Sequence, residues 1–300
     1  MKILACVVTY NRVALLERCV DGILAQDRPP DLLLVINNGS TDTTLETLER
    51  KGITAITQAN VGSAGGWARA IEEAQQRGFD AVWLMDDDGF PALPALGILE
   101  RALHGDRACV SSVVLRENEP DRFVFPFPRL NANGWPTLLS AKRKIPRLSE
   151  LRREAVDGLY PFAHFFNGAL VSVAATRKVG NVSADYFLSG DEIDYFARLR
   201  RAGPVLSHVD AHHLHPDVSL RALTPIKTYY FLKNTLIVNR RFHDRLPARQ
   251  AAAVLGILAR LAARNSPAEA WSYLAGANAP LFWRAVRRGL AGRIGPDFDE

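Results

Sequence analysis

The chain has 300 residues, of which 48% are hydrophobic and 23% charged, with three cysteines and a formal net charge of +5. Such a composition is typical of a globular protein with a sizeable core, and it argues against a disordered or fibrous chain. The odd cysteine count without C-x-x-C spacing argues against a disulfide or zinc framework, and we find neither a signal-peptide pattern nor an apolar stretch of about 20 residues.

The charge is distributed unevenly. Residues 221–300 contain 13 Lys and Arg against 5 Asp and Glu, whereas residues 1–220 carry a net charge of −3. A basic C-terminal part suggests an anionic partner. Because no nucleic-acid-binding module is recognisable, we expect no nucleic acid and favour an anionic membrane surface.

Four apolar runs of strand length fall within the first 90 residues. They cover residues 2–9, 32–36, 53–57 and 81–85. Residues with helical spacing separate them, so strand and helix alternate along this part of the chain. This rhythm predicts βαβ units and a parallel sheet.

Polar or glycine-rich segments follow each of these runs, at residues 10–12, 37–42, 60–66 and 86–88. Parallel strands bring such segments together at one edge of the sheet, where open α/β folds bind ligands. The last segment contains three adjacent carboxylates, those of Asp86, Asp87 and Asp88. They are tolerable together in water or around Mg²⁺ or Mn²⁺. The alternative is a solvated acidic turn that caps the next helix.

The segment Asn-Val-Gly-Ser-Ala-Gly-Gly at 60–66 matches neither the G-x-G-x-x-G nor the Walker pattern. It opens a helix, so its backbone could approach a phosphate or sugar, or its glycines could serve only tight packing. Arg69 in that helix could add a charge-assisted contact with an anion, or be an ordinary surface arginine.

The second half of the chain is less regular. We expect a helix over 91–103, a strand over 108–115, an irregular segment over 116–153, a pair of apolar strands over 162–173 and a strand over 205–209. From residue 224 onward, apolar residues at helical spacing predict a helical region. There, Trp271 and Trp283 with neighbouring arginines fit helices lying at a membrane interface or packing on the core.

A second acidic cluster follows Gly190 and comprises Asp191, Glu192 and Asp194 at the start of a predicted helix. Complementation of the helix dipole is the simplest explanation for it. The histidines at 212, 213 and 215 lie in an extended segment, where alternate side chains share a face. Carboxylates with one imidazole would suit Mn²⁺ or Mg²⁺ better than a three-histidine zinc site would.

The order of these motifs resembles glycosyltransferase family 2. The resemblance covers roughly residues 1–240. It rests on the motifs V-x-T-Y-N-R, N-N-G-S-T-D, N-V-G-S-A-G-G, D-D-D and G-D-E-I-D-Y-x-x-R-L, followed by His. NVGSAGGWARA, MDDDGFP and YYFLKN resemble the galactofuranosyltransferase and rhamnosyltransferase branch. The resemblance implies an α/β GT-A fold with a Rossmann-like, mostly parallel sheet flanked by helices. Residues 1–220 would form the catalytic domain and residues 221–300 a C-terminal helical region.

The resemblance also implies roles for individual residues. The donor nucleotide and sugar would contact Thr9, Asn11, Arg12, Asn37, Asn38, Asn60, Gly62, Arg69, Asp86 and Asp87. Asn37 and Asn38 replace the family's commoner aspartate, so the base stays open between uracil and thymine.

The remaining implied roles concern the cation and the proton transfer. Asp86, Asp88 and His215 would bind Mn²⁺ or Mg²⁺. Glu192 would be the general base with Asp191 as the alternative, Asp194 a supporting acid and Arg198 the basic residue that follows.

The function implied is inverting, metal-dependent sugar transfer in bacterial surface polysaccharide synthesis. The donor would be UDP- or dTDP-linked, with galactofuranose or rhamnose as the sugar, and the acceptor a saccharide or polyprenyl-linked glycan. We expect a location at the cytoplasmic face of the inner membrane, with peripheral membrane contact. A sugar-nucleotide nucleotidyltransferase and a non-catalytic binding module are the alternatives, and the oligomeric state is left open.

Overall fold

The computed structural model describes residues 1–138, 140, 142–219, 221–242 and 244–298. The strands are β1 (Ile3–Thr9), β2 (Leu32–Asn37), β3 (Thr54–Thr57), β4 (Ala81–Asp86), β5 (Phe90–Pro91), β6 (Cys109–Arg116), β7 (Glu119–Pro128), β8 (Lys144–Arg147), β9 (Leu159–Tyr160), β10 (Asn167–Ser172) and β11 (Val205–His215). The α-helices are α1 (Val13–Leu24), α2 (Thr44–Arg50), α3 (Gly62–Gln76), α4 (Ala95–Ala102), α5 (Leu148–Glu154), α6 (Val173–Val179), α7 (Asp191–Leu199), α8 (Pro225–Phe242), α9 (Leu246–Arg264), α10 (Pro267–Ala275) and α11 (Ala279–Leu290).

One sheet organises the first part of the chain, in the order β3-β2-β1-β4-β10-β6-β11-β5. β1 pairs in parallel with β2 and β4, and β11 with β6, whereas β10 runs antiparallel to both β4 and β6. In this strand order, every strand except β10 and β5 therefore runs in the same direction. This confirms the predicted α/β fold with a mostly parallel sheet.

The four early strands form because their apolar runs are buried on both faces of the sheet. Every residue of β1 is buried, and Trp83 of β4 is fully buried in the same core. Leu16 and Ile23 of α1 pack into this core from the helical side. Burial of both sheet faces is the usual arrangement in parallel sheets covered by helices.

The prediction of an irregular segment over 116–153 is wrong. β7, β8 and α5 lie there, and they enclose a separate apolar cluster that includes Phe123, Phe127 and Ile145. The prolines at 126 and 128 interrupt the alternation that normally indicates a strand. That Phe123, Phe127 and Ile145 pack in one cluster is therefore apparent only from the folded structure.

Three further boundaries differ from the predictions. In place of the strand pair expected over 162–173, the structure has the single strand β10. Just before it, Phe166 adopts a left-handed φ of 68°, and its ring stacks on the ring of Trp67 with 4.3 Å between the ring centroids. The helix expected from residue 91 begins at Ala95. The strand expected over 205–209 continues to His215, past a register shift against β6.

Two compact units make up the chain. The first unit comprises residues 1–182 and 195–217, and the second unit residues 183–194 and 218–300. The change of unit thus falls within α7. The predicted domain boundary lies at Leu220, outside the described residues, and it stays a prediction.

The second unit contains α8 to α11, in agreement with the helical region expected there. Its core includes Tyr230, Leu236, Leu261 and Phe282. Among the helices that the structure describes, α9 is long and apolar enough to cross a membrane. Of the residues in its apolar stretch, 17% are buried. No apolar stretch of this length was expected from the sequence, because arginines at 249, 260 and 264 interrupt the apolar run.

A buried ion pair ties the end of the described chain to α8. Lys233 Nζ lies 2.5 Å from Asp297 Oδ2, and the two side chains are 0% and 2% exposed. Tyr229 donates to the same oxygen at 2.8 Å, and Arg288 lies 2.6 Å from Oδ1. Burial alone would raise the pKa of Asp297, but these partners outweigh burial and lower it.

Substitution of Asp297 by alanine is expected to lower the free energy of unfolding by about 3–5 kcal/mol, because it leaves the Lys233 ammonium buried without its counter-ion. Since the folded-state pKa of Asp297 is lowered, its contribution is present at neutral pH and disappears as pH falls through that value. Urea unfolding followed by circular dichroism measures the change. Glu17→Ala, which removes an exposed pair with Arg50, is the control and should have little effect. Equal losses in both variants would contradict this account.

Candidate active site

The loops after β1 and β4 are joined by a buried carboxylate. Asp87 is 3% exposed, and its Oδ2 accepts a hydrogen bond from Thr9 Oγ1 at 2.7 Å. Arg12 Nη1 lies 3.1 Å from Asp87 Oδ1 and 3.1 Å from Asp88 Oδ2. Burial raises the pKa of Asp87, and Arg12 and Thr9 offset only part of that effect. Two charges of the acidic turn thus share one guanidinium.

Asn11 joins the β1 loop to the loop after β2. It has a left-handed φ of 53°, which asparagine tolerates better than most residues. Its backbone N–H donates to Ser40 Oγ at 2.9 Å, and its side-chain oxygen accepts from the Thr41 N–H at 2.7 Å.

The adjacent asparagines connect β2 to the loop after β3. Asn37 is fully buried, and its Oδ1 accepts from the Ser40 N–H at 2.9 Å. Asn38 donates to the Gly62 carbonyl at 3.1 Å and accepts from Gln58 at 2.8 Å. The structure therefore brings all four predicted loops into one hydrogen-bonded edge.

The glycine-rich segment packs closely against this edge. Asn60 Oδ1 accepts from the N–H of Gly62, which has a φ of 73°. A Cβ on Gly66 would lie 2.5 Å from Val8 Cγ1, so this glycine permits close approach of α3 to β1. Arg69 pairs with Glu73 of the same helix at 2.8 Å. Its predicted contact with a ligand stays a prediction.

An acid–imidazole pair lies beside the Arg12 contacts. Asp88 Oδ1 and His215 Nε2 are 3.0 Å apart, with side chains 18% and 4% exposed. Burial alone would raise the pKa of Asp88, but His215 and Arg12 outweigh it and lower the pKa to about 2. Burial lowers the pKa of His215, and Asp88 outweighs that effect to raise it. In the described part of the chain, His215 is the one of these three histidines whose ring hydrogen-bonds to the acidic turn, whereas the ring of His212 contacts the Val209 carbonyl.

His213 is fully buried. Burial lowers its pKa to about 3, so the ring is neutral. A Cβ on Gly89 would lie 2.3 Å from His213 Nε2, which explains why glycine follows the three acids. Sequence reasoning missed this role of Gly89, because the contact joins residues that are distant along the chain.

No group of three or more His, Cys, Asp or Glu side chains in the described part of the chain is arranged to hold a metal ion. Asp88 and His215 nevertheless supply one carboxylate and one imidazole, a donor set that suits Mn²⁺. Asp86 ends β4, and its backbone N–H donates to the Phe166 carbonyl at 2.7 Å. The donor types therefore fit a divalent cation at the end of β4.

The second acidic cluster belongs to the second unit. Glu192 Oε2 accepts from the Gly190 N–H at 2.8 Å. Asp194 is 3% exposed and accepts from Tyr186 at 3.1 Å, with Arg241 at 3.5 Å. Burial and Asp194 raise the pKa of Tyr186, so its hydroxyl stays protonated as a donor. Tyr186 and Arg241 thus fix the position of the Asp194 carboxylate, and its role as a supporting acid stays a prediction. Sequence reasoning missed these two partners.

The remaining predicted residues are placed as follows. Asp191 is 2% exposed and begins α7. Arg198, on the same helix but within the first unit, donates to the Val179 carbonyl at 3.1 Å. A carboxylate at the start of a helix can accept a proton from a hydroxyl group, and that is the chemistry this turn offers.

The chain is similar to known glycosyltransferases. The family model described as Glycosyl transferase family 2 matches residues 5–170. The galactofuranosyltransferase GlfT1 of Mycolicibacterium smegmatis is 34% identical over 218 residues, which is 71% of this chain and 70% of that protein. GlfT1 of Mycobacterium tuberculosis is 36% identical over 223 residues, with the same shares.

A similar fold occurs in a solved structure of low sequence identity. The mannosyltransferase PcManGT from Pyrobaculum calidifontis, in complex with GDP-Man and Mn²⁺, superimposes with a TM-score of 0.56 at 17% identity. The match covers 96% of this chain and 80% of the mannosyltransferase. The family match spans more than half of the chain and the identity to two relatives exceeds 30%, so this chain belongs to glycosyltransferase family 2 and is a glycosyltransferase.

Proposed function

We propose that this chain transfers galactofuranose from a UDP-linked donor to a saccharide or polyprenyl-linked acceptor, with inversion at the anomeric carbon. The observation that carries the proposal is its 34–36% identity to two galactofuranosyltransferases over 71% of its length. Rhamnose from a dTDP-linked donor is the competing sugar, because Asn37 and Asn38 depart from the commoner aspartate beside the base.

The donor diphosphate is assigned to the sheet edge. Thr9, Asn11 and Arg12 lie beside the acidic turn, and the Asp88–His215 pair offers oxygen and nitrogen donors for Mn²⁺ or Mg²⁺. When bound, such a cation offsets the negative charge that develops on the leaving nucleoside diphosphate. The Mn²⁺ in the complex of the similarly folded mannosyltransferase supports this assignment.

The proton transfer is assigned to the start of α7. In one displacement the acceptor oxygen bonds to the anomeric carbon, and the bond from that carbon to the phosphate oxygen breaks. Its electron pair leaves with the nucleoside diphosphate, and the acceptor proton passes to Glu192, with Asp191 as the alternative base. The hydrogen bond from the Gly190 N–H leaves Glu192 Oε1 as the oxygen to take the proton.

Nucleoside diphosphate release should be fastest with UDP-galactofuranose in a panel that includes dTDP-rhamnose, UDP-galactose and UDP-glucose, and should require Mn²⁺ or Mg²⁺. Glu192→Gln should lower kcat by about 100-fold or more, because the base is lost while donor contacts remain. Steady-state kinetics with an alkyl glycoside acceptor measures both effects.

Glu46→Gln, on the exposed face of α2, is the control for the loss of one carboxylate. If Asp191→Asn abolished transfer while Glu192→Gln retained it, Asp191 would be the base. If no donor in the panel were consumed with either metal, the proposed function itself would be wrong.

His215→Ala is expected to raise the Mn²⁺ concentration for half-maximal activity by about 10–100-fold, since one metal ligand is lost while Asp88 remains. His212→Ala, on the same strand, is the matched control, because its ring contacts the Val209 carbonyl. Activity titrated against Mn²⁺ measures the difference. An equal response of the two variants would contradict the ligand role of His215.

We also propose peripheral contact of the second unit with the cytoplasmic face of the inner membrane. Leu255 and Trp271 are 66% and 65% exposed, and Trp283 is 47% exposed. Exposed alanines at 251, 259 and 263 extend the apolar side of α9 around Leu255. Large exposed apolar side chains next to basic residues favour an anionic bilayer surface.

The wild-type protein should co-sediment with vesicles that contain anionic lipid, and more strongly than with neutral vesicles. The double substitution Leu255→Ser and Trp271→Ser should weaken this binding, because less apolar surface enters the interface. Leu93→Ser, at a position 61% exposed in the first unit, is the control and should leave binding unchanged. Equal binding of the double variant and the wild type would contradict the membrane proposal.

A further inference from the structure

The loop that leads into the acidic turn of α7 has an unusual backbone. Phe187, Ser189 and Gly190 have left-handed φ angles of 60°, 62° and 93°. A bulky residue such as phenylalanine is rarely found in this region. Such conformations persist only where surrounding contacts hold them.

One side chain of α8 makes several of those contacts. Asn234 is fully buried, and its Nδ2 lies 3.0 Å from the Tyr186 carbonyl, 3.0 Å from that of Leu188 and 2.7 Å from that of Ser189. An amide group has two hydrogens, so the three carbonyls share them. A carboxylate or an apolar group at this position could not donate to any of them.

The same side chain limits the last residue of the loop. A Cβ on Gly190 would lie 2.8 Å from Asn234 Cβ, so only glycine fits there without displacement. The N–H of Gly190 in turn donates to Glu192. Asn234 is therefore connected by direct contacts, through Ser189 and Gly190, to Glu192, the carboxylate assigned as the base.

The beginning of the loop is held by the residue that precedes Asn234. Lys233 donates to the Gly295 carbonyl at 2.7 Å, and the Gly295 N–H donates to the Asp185 carbonyl at 3.1 Å. Lys233 is itself fixed by its buried pair with Asp297. Adjacent residues of the YYFLKN segment thus hold the loop at both of its ends.

We infer that Asn234 is a positioning residue for the transfer reaction. It holds residues 187–190 in the backbone conformation, with positive φ at Phe187, Ser189 and Gly190, that orients the first-turn acids of α7. The assignment rests on the proposed function only in naming those acids as the base. Asn234 itself is fully buried, so we assign it an indirect role. A displacement of about 1 Å at a reacting group can cost about 100-fold in rate, so the loss of this support should appear in kcat.

The test compares Asn234→Asp with Asn239→Asp. Asn239 is a buried asparagine on the same helix, but it donates to the Arg249 carbonyl and Gln250 of the next helix, each at 3.3 Å. Asn234→Asp should lower kcat by about 100-fold and leave the donor KM unchanged. Asn239→Asp should keep kcat, although both variants lose a buried donor and some stability. Asn234→Ser, which retains one donor, should show an intermediate kcat if the aspartate variant does not fold.

Amide hydrogen exchange tests the positioning without reference to activity. Residues 187–192 should exchange faster in the Asn234 variants than in the wild type, and at the wild-type rate in Asn239→Asp. Unchanged exchange in the Asn234 variants, or equal losses of kcat in the Asn234 and Asn239 variants, would overturn the inference. If the wild type transferred no sugar, the proposed function would fail, and the exchange rates alone would decide whether Asn234 holds the loop.

Discussion

The charge balance of the turn after β4 is the interaction on which the first unit's site depends. Asp87 and Asp88 repel each other and are largely withdrawn from water, so each needs a fixed partner. Thr9 and Arg12 supply partners from the loop after β1, and His215 supplies one from the end of β11. These contacts hold two loops and a distant strand end together. They also place Asp88 and His215 side by side, as a pair of donors suited to a divalent cation that binds a diphosphate.

The sequence predicted this part of the molecule well because its signals are local. Apolar runs such as residues 3–9 become strands whichever neighbours they find, and parallel topology brings their polar ends to one edge. The choice of His215 over His212 and His213 came from the family resemblance, and the structure places it against Asp88. By contrast, the strand β7 was missed, since its prolines hide the alternation and its apolar side chains are buried in a cluster drawn from several other elements.

The residues that hold the second acidic cluster in place could not be predicted from the sequence. Glu192 and Asp194 were recognisable as a cluster, but Tyr186, Asn234 and Arg241 approach it only after the helices of the second unit pack. An asparagine within an apolar helix looks like any buried amide until its partners are known. The YYFLKN segment was part of the resemblance, and its contacts give it a physical role.

We propose that Asp88 serves donor binding and that Glu192 serves proton transfer. Calorimetric titration of UDP in the presence of Mn²⁺ tests this division most directly, because it measures donor binding without the chemical step. We predict that Asp88→Asn loses most of the UDP affinity, whereas Glu192→Gln binds UDP as the wild type does. Wild-type affinity in Asp88→Asn, or loss of binding in Glu192→Gln, would contradict the account.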